Sequence, residues 1–479
     1  MHPILELAIT LPPKGSRELL RALHQQLRAA IFDGRLQPGL RLPATRVLAA
    51  SLGVSRNTVI AAYDLLLSEG YAAVRPGSGA YVASMLPQPV DAIAASDRDP
   101  RLAPIWRDIA ATPGPARPAS YRFDFRAGLP GTAAFPFPIW RRLSARALRG
   151  LSKAPSAYAE PEGRLSLREA IAKHISFARA VACRADDVVV TAGAQQAFDL
   201  LARILVIPGE TVVALEDPGY PPLRAAFTAS GAVIAAVPVD GEGLMVDRLP
   251  ANARVICVTP SHQFPLGVAM PPRRRMALLE FAQSHGAVVI EDDYDGEFRF
   301  GGRPLDALRT LDRAGSAFYT GTFSKSLFPE LRLGFVVAPP WARPALVRAK
   351  QLADWHSPVL AQDTLAAFIA EGHLARHIRK MRKIYGGRRA ALLQALARHC
   401  GGLLEPIPAV AGLHLAAHLT APIPVNDLVA KAVEAGIGVA PLDRVAATET
   451  SPRGLIFGYG MIEAEQIDEA IRRLAQAMK

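Results

Sequence analysis

The sequence predicts two folded parts of different class: a small α+β winged helix-turn-helix at the N-terminus, and a much larger α/β domain on a mostly parallel sheet. Three observations carry this reading. Between residues 16 and 82 an amphipathic helix, two helices around a glycine turn, and a Pro-Gly-Ser-Gly hairpin follow in order. Between residues 187 and 339, short β-branched runs alternate with helical patterns, as expected of a buried parallel sheet. Residues 84–120 carry seven prolines. Proline fixes φ and blocks continuation of helix or sheet, so this stretch reads as an extended linker.

The chain has 479 residues, which suggests about three domains. The boundaries expected are 1–84 for the winged helix, 85–120 for the linker and 121–479 for the large domain. The last divides into a main part over about 150–345 and a smaller subdomain over about 346–479. Half of the residues are hydrophobic and a fifth are charged, as in a well-packed globular protein. Cys183, Cys257 and Cys400 stand far apart, with no CxxC spacing. That argues against a disulfide framework or a thiolate zinc site, and fits a reducing cytoplasm. The first residues lack a basic start followed by a long apolar run, and no stretch approaches the ~18 apolar residues of a membrane span. A cytoplasmic protein with no membrane partner is expected. Lys and Arg total 55 against 43 Asp and Glu, a net +12 that points to a polyanion. Composition does not say which one.

In the N-terminal module, Leu20, Leu23, Leu27 and Ile31 repeat at helical spacing. ATRVLAASLG is a short helix closed by Gly53, and VSRNTVIAAYDLLLSEG follows with Ser55 as N-cap and Val59, Tyr63 and Leu66 as the buried stripe. YAAVRPGSGAYVA then gives the two strands of a wing. The second helix opens on Ser55, Arg56, Asn57 and Thr58. A helix N-terminus offers free N–H groups to phosphate, and Arg and Asn bond bidentately to guanine and adenine edges. Arg46 on the preceding helix, with Arg75 and Gly77 in the wing, stands where duplex backbone or minor groove is met. The competing reading is a small helical domain with solvated arginines. LQPGLRLPATRVLAASLGVSRNTVIAAYDLLLSEGYAAVRPGSGAYV, however, resembles the winged-helix domain of the GntR family almost throughout, which implies binding to double-stranded operator DNA. Some members of that family have arginine where this chain has Ile60, so their contact there does not carry over.

In the large domain the most informative stretch is YTGTFSKSLFPELRLGFVV, residues 319–337. Lys325, just after a strand and flanked by small hydroxyl residues, suits a Schiff base to pyridoxal 5'-phosphate, because burial helps an amine shed its proton. Thr322, Ser324 and Arg332 are phosphate ligands by type. VVIEDDYDGEF puts Asp292 at a strand end, where a carboxylate keeps a pyridine nitrogen protonated, with Tyr294 placed for the ring hydroxyl. VTAGAQQAFDLL offers the amides of Gly193 and Ala194 to a phosphate, and EDPGY offers Tyr220 for stacking on the ring. Each feature alone has an ordinary structural explanation. Their order along one domain, each at a strand end, is harder to explain away.

With FRAGLPGTAAFP (125–136), YAEPEGRLSLREAI (158–171) and TPSHQFPLG (259–267), these motifs resemble fold-type I aminotransferases. More specifically, the whole chain resembles the MocR/GabR group, in which a GntR winged helix is fused to an aminotransferase-like domain. The resemblance implies pyridoxal phosphate on Lys325, with Asp292 at the pyridine nitrogen, Tyr294 at the ring hydroxyl and Tyr220 stacking. It gives Gly193, Ala194, Thr322 and Arg332 to the phosphate, and makes Tyr158 the tyrosine that reaches the neighbouring subunit's phosphate in a head-to-tail homodimer. The function implied is a transcriptional regulator that senses pyridoxal phosphate or an amino compound through external aldimine formation. The alternative is an aminotransferase with an accessory DNA-binding domain.

The carboxylate clamp discriminates between the two. Enzymes of this fold carry an arginine on a late strand for bidentate carboxylate binding. Matching that strand to RGLIFGYG places Ile456 where the arginine belongs, and Arg453 comes three residues early. Arg444 is the nearest alternative receptor for an effector carboxylate. His262-Gln263-Phe264 replace the enzymes' asparagine beside the ring, and Leu266 replaces a small hydroxyl residue. Weak or absent turnover is expected. Arg273-Arg274-Arg275 reads as a solvated helix start, and the segment 379–383 as a denser basic face, for which DNA contact is the less favoured reading and whose role the sequence does not assign. His373 and His377 have metal-ligand spacing but lack a third ligand nearby, so no metal is expected.

Overall fold

The structure is a computed structural model that describes residues 9–13, 15–16, 18–75, 77–83, 99–108, 121–155, 157–301, 306–448 and 452–478. The chain separates into two compact units, Met1–Asp99 and Pro100–Lys479. Residues 84–98 and 109–120 of the linker expectation, and Pro76 of the wing, lie outside the described residues. What is described of the linker departs from an extended chain, because Pro104–Asp108 forms a short helix. Proline at a helix start costs nothing, since its missing N–H has no intrahelical partner there.

In the first unit, helix α1 (Leu19–Phe32) buries Leu23, Leu27 and Ile31. Helix α2 (Thr45–Leu52) ends at Gly53, whose φ of 63° is the left-handed turn that a residue without Cβ adopts freely. Helix α3 (Arg56–Ser68) is capped by Ser55, whose side chain accepts the Thr58 amide at 3.1 Å. Val59, Ala62, Tyr63 and Leu66 face the core formed with α1 and α2. Tyr63 keeps its hydroxyl satisfied by donating to the Pro43 carbonyl at 3.0 Å. The wing pairs β1 (Ala72–Arg75) antiparallel with β2 (Gly79–Val82).

The second unit is built on eight strands: β3 (Val188–Thr191), β4 (Val212–Asp217), β5 (Val233–Asp240), β6 (Gly243–Leu244), β7 (Ala253–Val258), β8 (Val288–Asp293), β9 (Ala317–Thr322) and β10 (Gly334–Val337). Their order is β3-β10-β9-β8-β7-β4-β5-β6. The run β9-β8-β7-β4-β5 is parallel, while β10 opposes both of its neighbours and β6 folds back on β5. Val188, Val189 and Val190 are all fully buried, as expected for a strand covered on both faces. A separate antiparallel sheet toward the C-terminus joins β11 (Leu404–Pro406), β12 (His414–Leu419), β13 (Ala440–Pro441) and β14 (Gly454–Gly458) in the order β11-β12-β14-β13.

The solvated-start reading of residues 273–275 is corrected by the structure. The helix Pro272–His285 does begin there, but Arg275 is only 1% exposed. It donates to the carbonyls of Met270, Asp306 and Pro260 at 2.7–2.9 Å, with Glu291 3.9 Å away. Arg274 bonds Asp240 and the Gly243 carbonyl, and Arg273 pairs with Glu242. Helical geometry turns the three side chains in different directions, which a run of like letters conceals.

Arg275→Met should therefore cost about 2–3 kcal/mol, because the Met270 carbonyl and the buried Glu291 lose their cation and the carbonyls of Pro260 and Asp306 lose one donor each. A urea titration of the full chain reads this as a lower midpoint for the large unit. An unchanged midpoint would show that those carbonyls find other donors.

Candidate functional site

Residues alternate sides along a strand, and this sorts the carboxyl groups at the end of β8. Glu291 is fully buried and accepts the Leu308 amide at 2.8 Å. Asp293 accepts from Arg179 and from the Tyr319 hydroxyl, both at 2.6 Å. Arg179 also reaches the Ser261 hydroxyl at 2.6 Å, tying three segments together. Asp292, on the other side, is 4% exposed and lies 3.2 Å from the Thr320 hydroxyl of β9, its register partner. Desolvation pushes its carboxyl up to about 7, with the neighbouring carboxylates adding to the rise.

Lys325 follows the end of β9. Its amine donates to the Gly128 carbonyl at 2.7 Å, and burial lowers its pKa, Asp295 and Asp292 opposing. Gly128 has φ 79°, and a Cβ there would sit 3.0 Å from Lys325 Nζ, so only glycine lets the backbone approach so closely.

Beside the lysine is a polar cradle. Gly193, with φ 80°, precedes the helix Ala194–Leu205 and presents its first amides. Arg332 takes a left-handed conformation at φ 49° and donates to the Ala192 carbonyl at 2.7 Å. A Cβ on Gly193 would lie 2.8 Å from its guanidinium. Thr322 and Ser324 join hydroxyls at 3.0 Å, and the Ser324 amide turns back to Thr322. Helix amides, two hydroxyls and a forked cation around a spot kept open by a glycine are the donor set of a phosphate site.

Tyr220 caps the helix Pro221–Ala229 and is 39% exposed, edge-on to Phe264 at 5.6 Å. Tyr294 donates to the His262 carbonyl at 3.0 Å and lies 3.1 Å from His262 Nδ1. Two of its neighbours were not singled out in the sequence. Asp295 sits 3.1 Å from His262 Nδ1, and His414 packs its ring 4.6 Å from that of His262 while bonding the Pro265 carbonyl. Only proximity in three dimensions joins them, since His414 comes from β12. The buried Nε2 of His262 has no hydrogen-bond partner among the described residues. Burial, with help from His262, drives His414 down to about 3.

Other expected residues are more scattered. Tyr158 is exposed and packs on Trp355, ring centres 4.5 Å apart. Arg444 is exposed on the one-turn helix Asp443–Val445. Ile456 is 1% exposed on β14, within an apolar cluster of Leu266, Val268, Ile407, Ala416 and Leu442. His373 pairs with Glu371 at 3.2 Å, whereas His377 is buried edge-on to Phe135, so the two histidines meet different surroundings. In the basic segment, Lys380 and Arg382 already donate to the Ala134 and Glu297 carbonyls, and Arg379 and Lys383 are exposed.

In the first unit, Arg56 and Asn57 are exposed at the start of α3. Arg56 Nε lies 3.3 Å from the Thr45 hydroxyl, and the Ser55 and Thr58 hydroxyls are 2.8 Å apart. Arg46 is exposed on α2, Arg75 stacks over Tyr81 at 4.5 Å, and Gly77 turns the wing with φ 75°.

Two family models match the chain. Bacterial regulatory proteins of the gntR family cover residues 19–82, and aminotransferase class I and II covers residues 130–474. The second unit is similar to a Pyrococcus horikoshii kynurenine aminotransferase solved with PMP (TM-score 0.70, 28% identity, 75% of this chain and 91% of that one). It is similar also to the α-aminoadipate aminotransferase LysN of Thermus thermophilus (TM-score 0.69, 31% identity, 74% and 92%). Fold and matches together define a GntR-type DNA-binding domain fused to a fold-type I aminotransferase domain, the fold of enzymes that use pyridoxal phosphate. Full-length relatives have the same arrangement. The probable rhizopine catabolism regulatory protein MocR of Rhizobium meliloti is 38% identical over 95% of this chain and 93% of its own. The pyridoxine biosynthesis transcriptional regulator PdxR of Corynebacterium glutamicum is 31% identical over 99% of both. The chain belongs to the MocR-type family of GntR regulators. Among the described residues no helix is long and apolar enough to cross a membrane.

The buried histidines set a pH dependence. His414 at about 3 and His377 at about 4 stand below the ~6.5 of an unfolded histidine. The unfolded chain therefore takes up their protons first, and stability falls as pH drops from about 6.5 toward 3. Asp292 and Glu291, both raised to about 7, act with the opposite sign, costing stability as pH rises from about 4 to 7. His414→Gln should flatten the acid side. As pH goes from 7 to 4 the variant's urea midpoint should gain relative to the parent's, and parallel curves would show that His414 is not held neutral.

Proposed function

We propose that the chain is a DNA-binding transcriptional regulator that holds pyridoxal 5'-phosphate in its large unit and responds there to that cofactor or to an amino compound. One coincidence carries the reading. Lys325 and Asp292 stand at the ends of neighbouring parallel strands, beside a glycine-opened anion cradle, in a chain that also carries a capped recognition helix. When bound, the cofactor supplies an aldehyde for reversible imine formation with a primary amine, and a pyridine ring that withdraws electrons.

The chain's own residues supply the rest. Lys325 offers the amine, and burial disfavours its charged form. Asp292 holds a proton on the pyridine nitrogen, and a cation there draws its raised pKa back down. Tyr294 would meet the ring hydroxyl, and Tyr220 would offer its face for stacking on the ring. Gly193, Ala194, Thr322, Ser324 and Arg332 hold the phosphate. The exposed Tyr158 fits the role of reaching a partner's phosphate in a head-to-tail homodimer, and Arg444 that of an effector carboxylate receptor.

On DNA, Arg56 and Asn57 read base edges from the start of α3. Ser55 and Thr58 at the helix start, with Arg46, Arg75 and the Gly77 turn, grip the backbone. The second reading, an aminotransferase with an accessory DNA-binding domain, needs a carboxylate clamp. Ile456, buried in an apolar cluster, occupies the expected place of that clamp.

The purified protein should be yellow, and Lys325→Ala should lose the chromophore's lysine-bound form while still binding DNA from upstream of its own gene. A colourless parent protein would remove the cofactor from the reading, and rapid ketoacid production from amino acids would favour the enzyme. Arg56→Ala should weaken operator binding by about 1–3 kcal/mol and relax sequence preference, with the spectrum unchanged. Unaltered operator affinity would displace α3 as the reading helix.

A further inference from the structure

Resting on the cofactor reading above, we infer that Asp295 and His262 are positioning residues for the bound ring: Asp295 fixes the proton of His262 on Nδ1, and this leaves the Tyr294 hydroxyl free to donate to the ring oxygen. The residues lie past the ends of two neighbouring parallel strands, His262 after β7 and Tyr294 and Asp295 after β8. Both oxygens of Asp295 lie 3.1 Å from His262 Nδ1, and Oδ2 also receives the Leu413 amide at 3.2 Å. A carboxylate only accepts hydrogen bonds, so both partners are donors and a neutral His262 carries its proton on Nδ1. His262 Nε2 is buried with no hydrogen-bond partner among the described residues, so nothing there competes for that proton. The ring is also held in place. A Cβ on Gly412 would overlap it and sit 2.6 Å from Asp295 Oδ2, and Gly412 has the φ of 87° that glycine adopts freely. His414 packs with its ring centre 4.6 Å from that of His262 and is itself tied to the Pro265 carbonyl at 3.1 Å.

The tautomer decides what Tyr294 does with its one proton. Its hydroxyl donates to the His262 carbonyl at 3.0 Å and lies 3.1 Å from His262 Nδ1. Burial, and after it the charge of Asp295, raises the Tyr294 pKa, so the proton stays on the oxygen. With Nδ1 protonated, the imidazole is no acceptor for it. A bare Nδ1 at the same distance is a stronger acceptor than a carbonyl, and holds the tyrosine proton away from the ring. Replacing Asp295 by asparagine produces that state. The Leu413 amide can only donate and keeps the amide oxygen, which turns the amide NH2 toward His262 and moves the imidazole proton to Nε2. Other charges act here too. Asp292, Glu216 and Tyr459 bear on Tyr294, His414 is held neutral by burial, and Asp295 is the largest charge acting on Lys325.

The test separates that direct charge effect from the tautomer. In the full chain loaded with pyridoxal phosphate, the pH midpoint of the chromophore's colour change is measured for the parent, Asp295→Asn, Tyr294→Phe and the double variant. Losing a hydrogen bond to the ring oxygen leaves that oxygen more negative, so the proton on the lysine nitrogen is held more firmly and the midpoint rises. Losing the Asp295 charge lowers it in either background. Asp295→Asn should therefore raise the midpoint by about one pH unit more in the parent than in Tyr294→Phe, which has no tyrosine proton to divert. Equal changes in the two backgrounds would overturn the inference. Neutron diffraction from crystals of the unsubstituted chain without cofactor needs no variant to fold. A proton is expected on His262 Nδ1, and a bare Nδ1 would overturn the inference. A protein that forms no chromophore would fail at the cofactor reading itself, while the proton on His262 is read without it.

Discussion

Three consecutive carboxyl groups, Glu291, Asp292 and Asp293, are buried at the end of one strand, and the large unit is organised around keeping them there. Removing a carboxylate from water is costly unless cations or hydrogen-bond donors replace the hydration. Strand alternation divides the problem in two. On one side Arg179 braces Asp293, and Arg275 stands by Glu291 while tying together the carbonyls of Pro260, Met270 and Asp306. On the other side Asp292 has the Thr320 hydroxyl and the charge of Lys325, yet desolvation leaves its carboxyl raised to about 7. Two carboxyl groups are structural and one is left wanting a cation. Under the cofactor reading proposed above, a protonated pyridine would be such a cation.

The cradle follows the same logic with the sign reversed. Gly193 leaves a gap where a side chain would press on Arg332, and the first amides of the next helix point into it. The strained left-handed backbone of Arg332 holds the guanidinium beside Ala192. Strain of this kind persists where the surrounding structure over-determines it, commonly at a ligand clamp. In the smaller unit the equivalent economy is at Ser55. Its hydroxyl accepts the Thr58 amide and fixes the helix start, where Arg56 and Asn57 stand exposed.

How legible this was in the sequence depended on whether a feature was local. The helix-turn-helix could be read because Gly53, the Ser55 cap and the Val59–Tyr63–Leu66 stripe are set by neighbours within one or two turns. Lys325, Asp292 and Gly193 stood out because each sits at the end of an apolar run. What escaped was set by distant chain. The His262–Asp295–His414 group joins three segments, one of them from the C-terminal sheet, and no spacing announces it. Arg275 was misread for a related reason. Three arginines in a row look like solvent-facing charge, yet one helical turn sends each to a different environment, and the carbonyls waiting for Arg275 come from loops far along the chain. The short helix at Pro104 shows the converse, since proline density argued for extended chain whereas a single proline at a helix start is compatible with helix.

The two ends of the site therefore differ in kind. The lysine end has a desolvated amine, a buried carboxyl and an anion cradle, on the fold of enzymes that use pyridoxal phosphate. Ile456 and Leu266, where the sequence comparison looks for an arginine and a small hydroxyl residue, pack into a buried apolar cluster. A catalyst uses its substrate clamp to hold the reacting carbon in one orientation through repeated turnovers. A sensor needs only that its ligand bind two states of the protein unequally, and differential contact rather than chemistry supplies that free energy. Under the reading proposed above, a lysine kept in a chain whose late strand has Ile456 in the expected place of an arginine suits the second role, and the DNA-binding domain agrees with it.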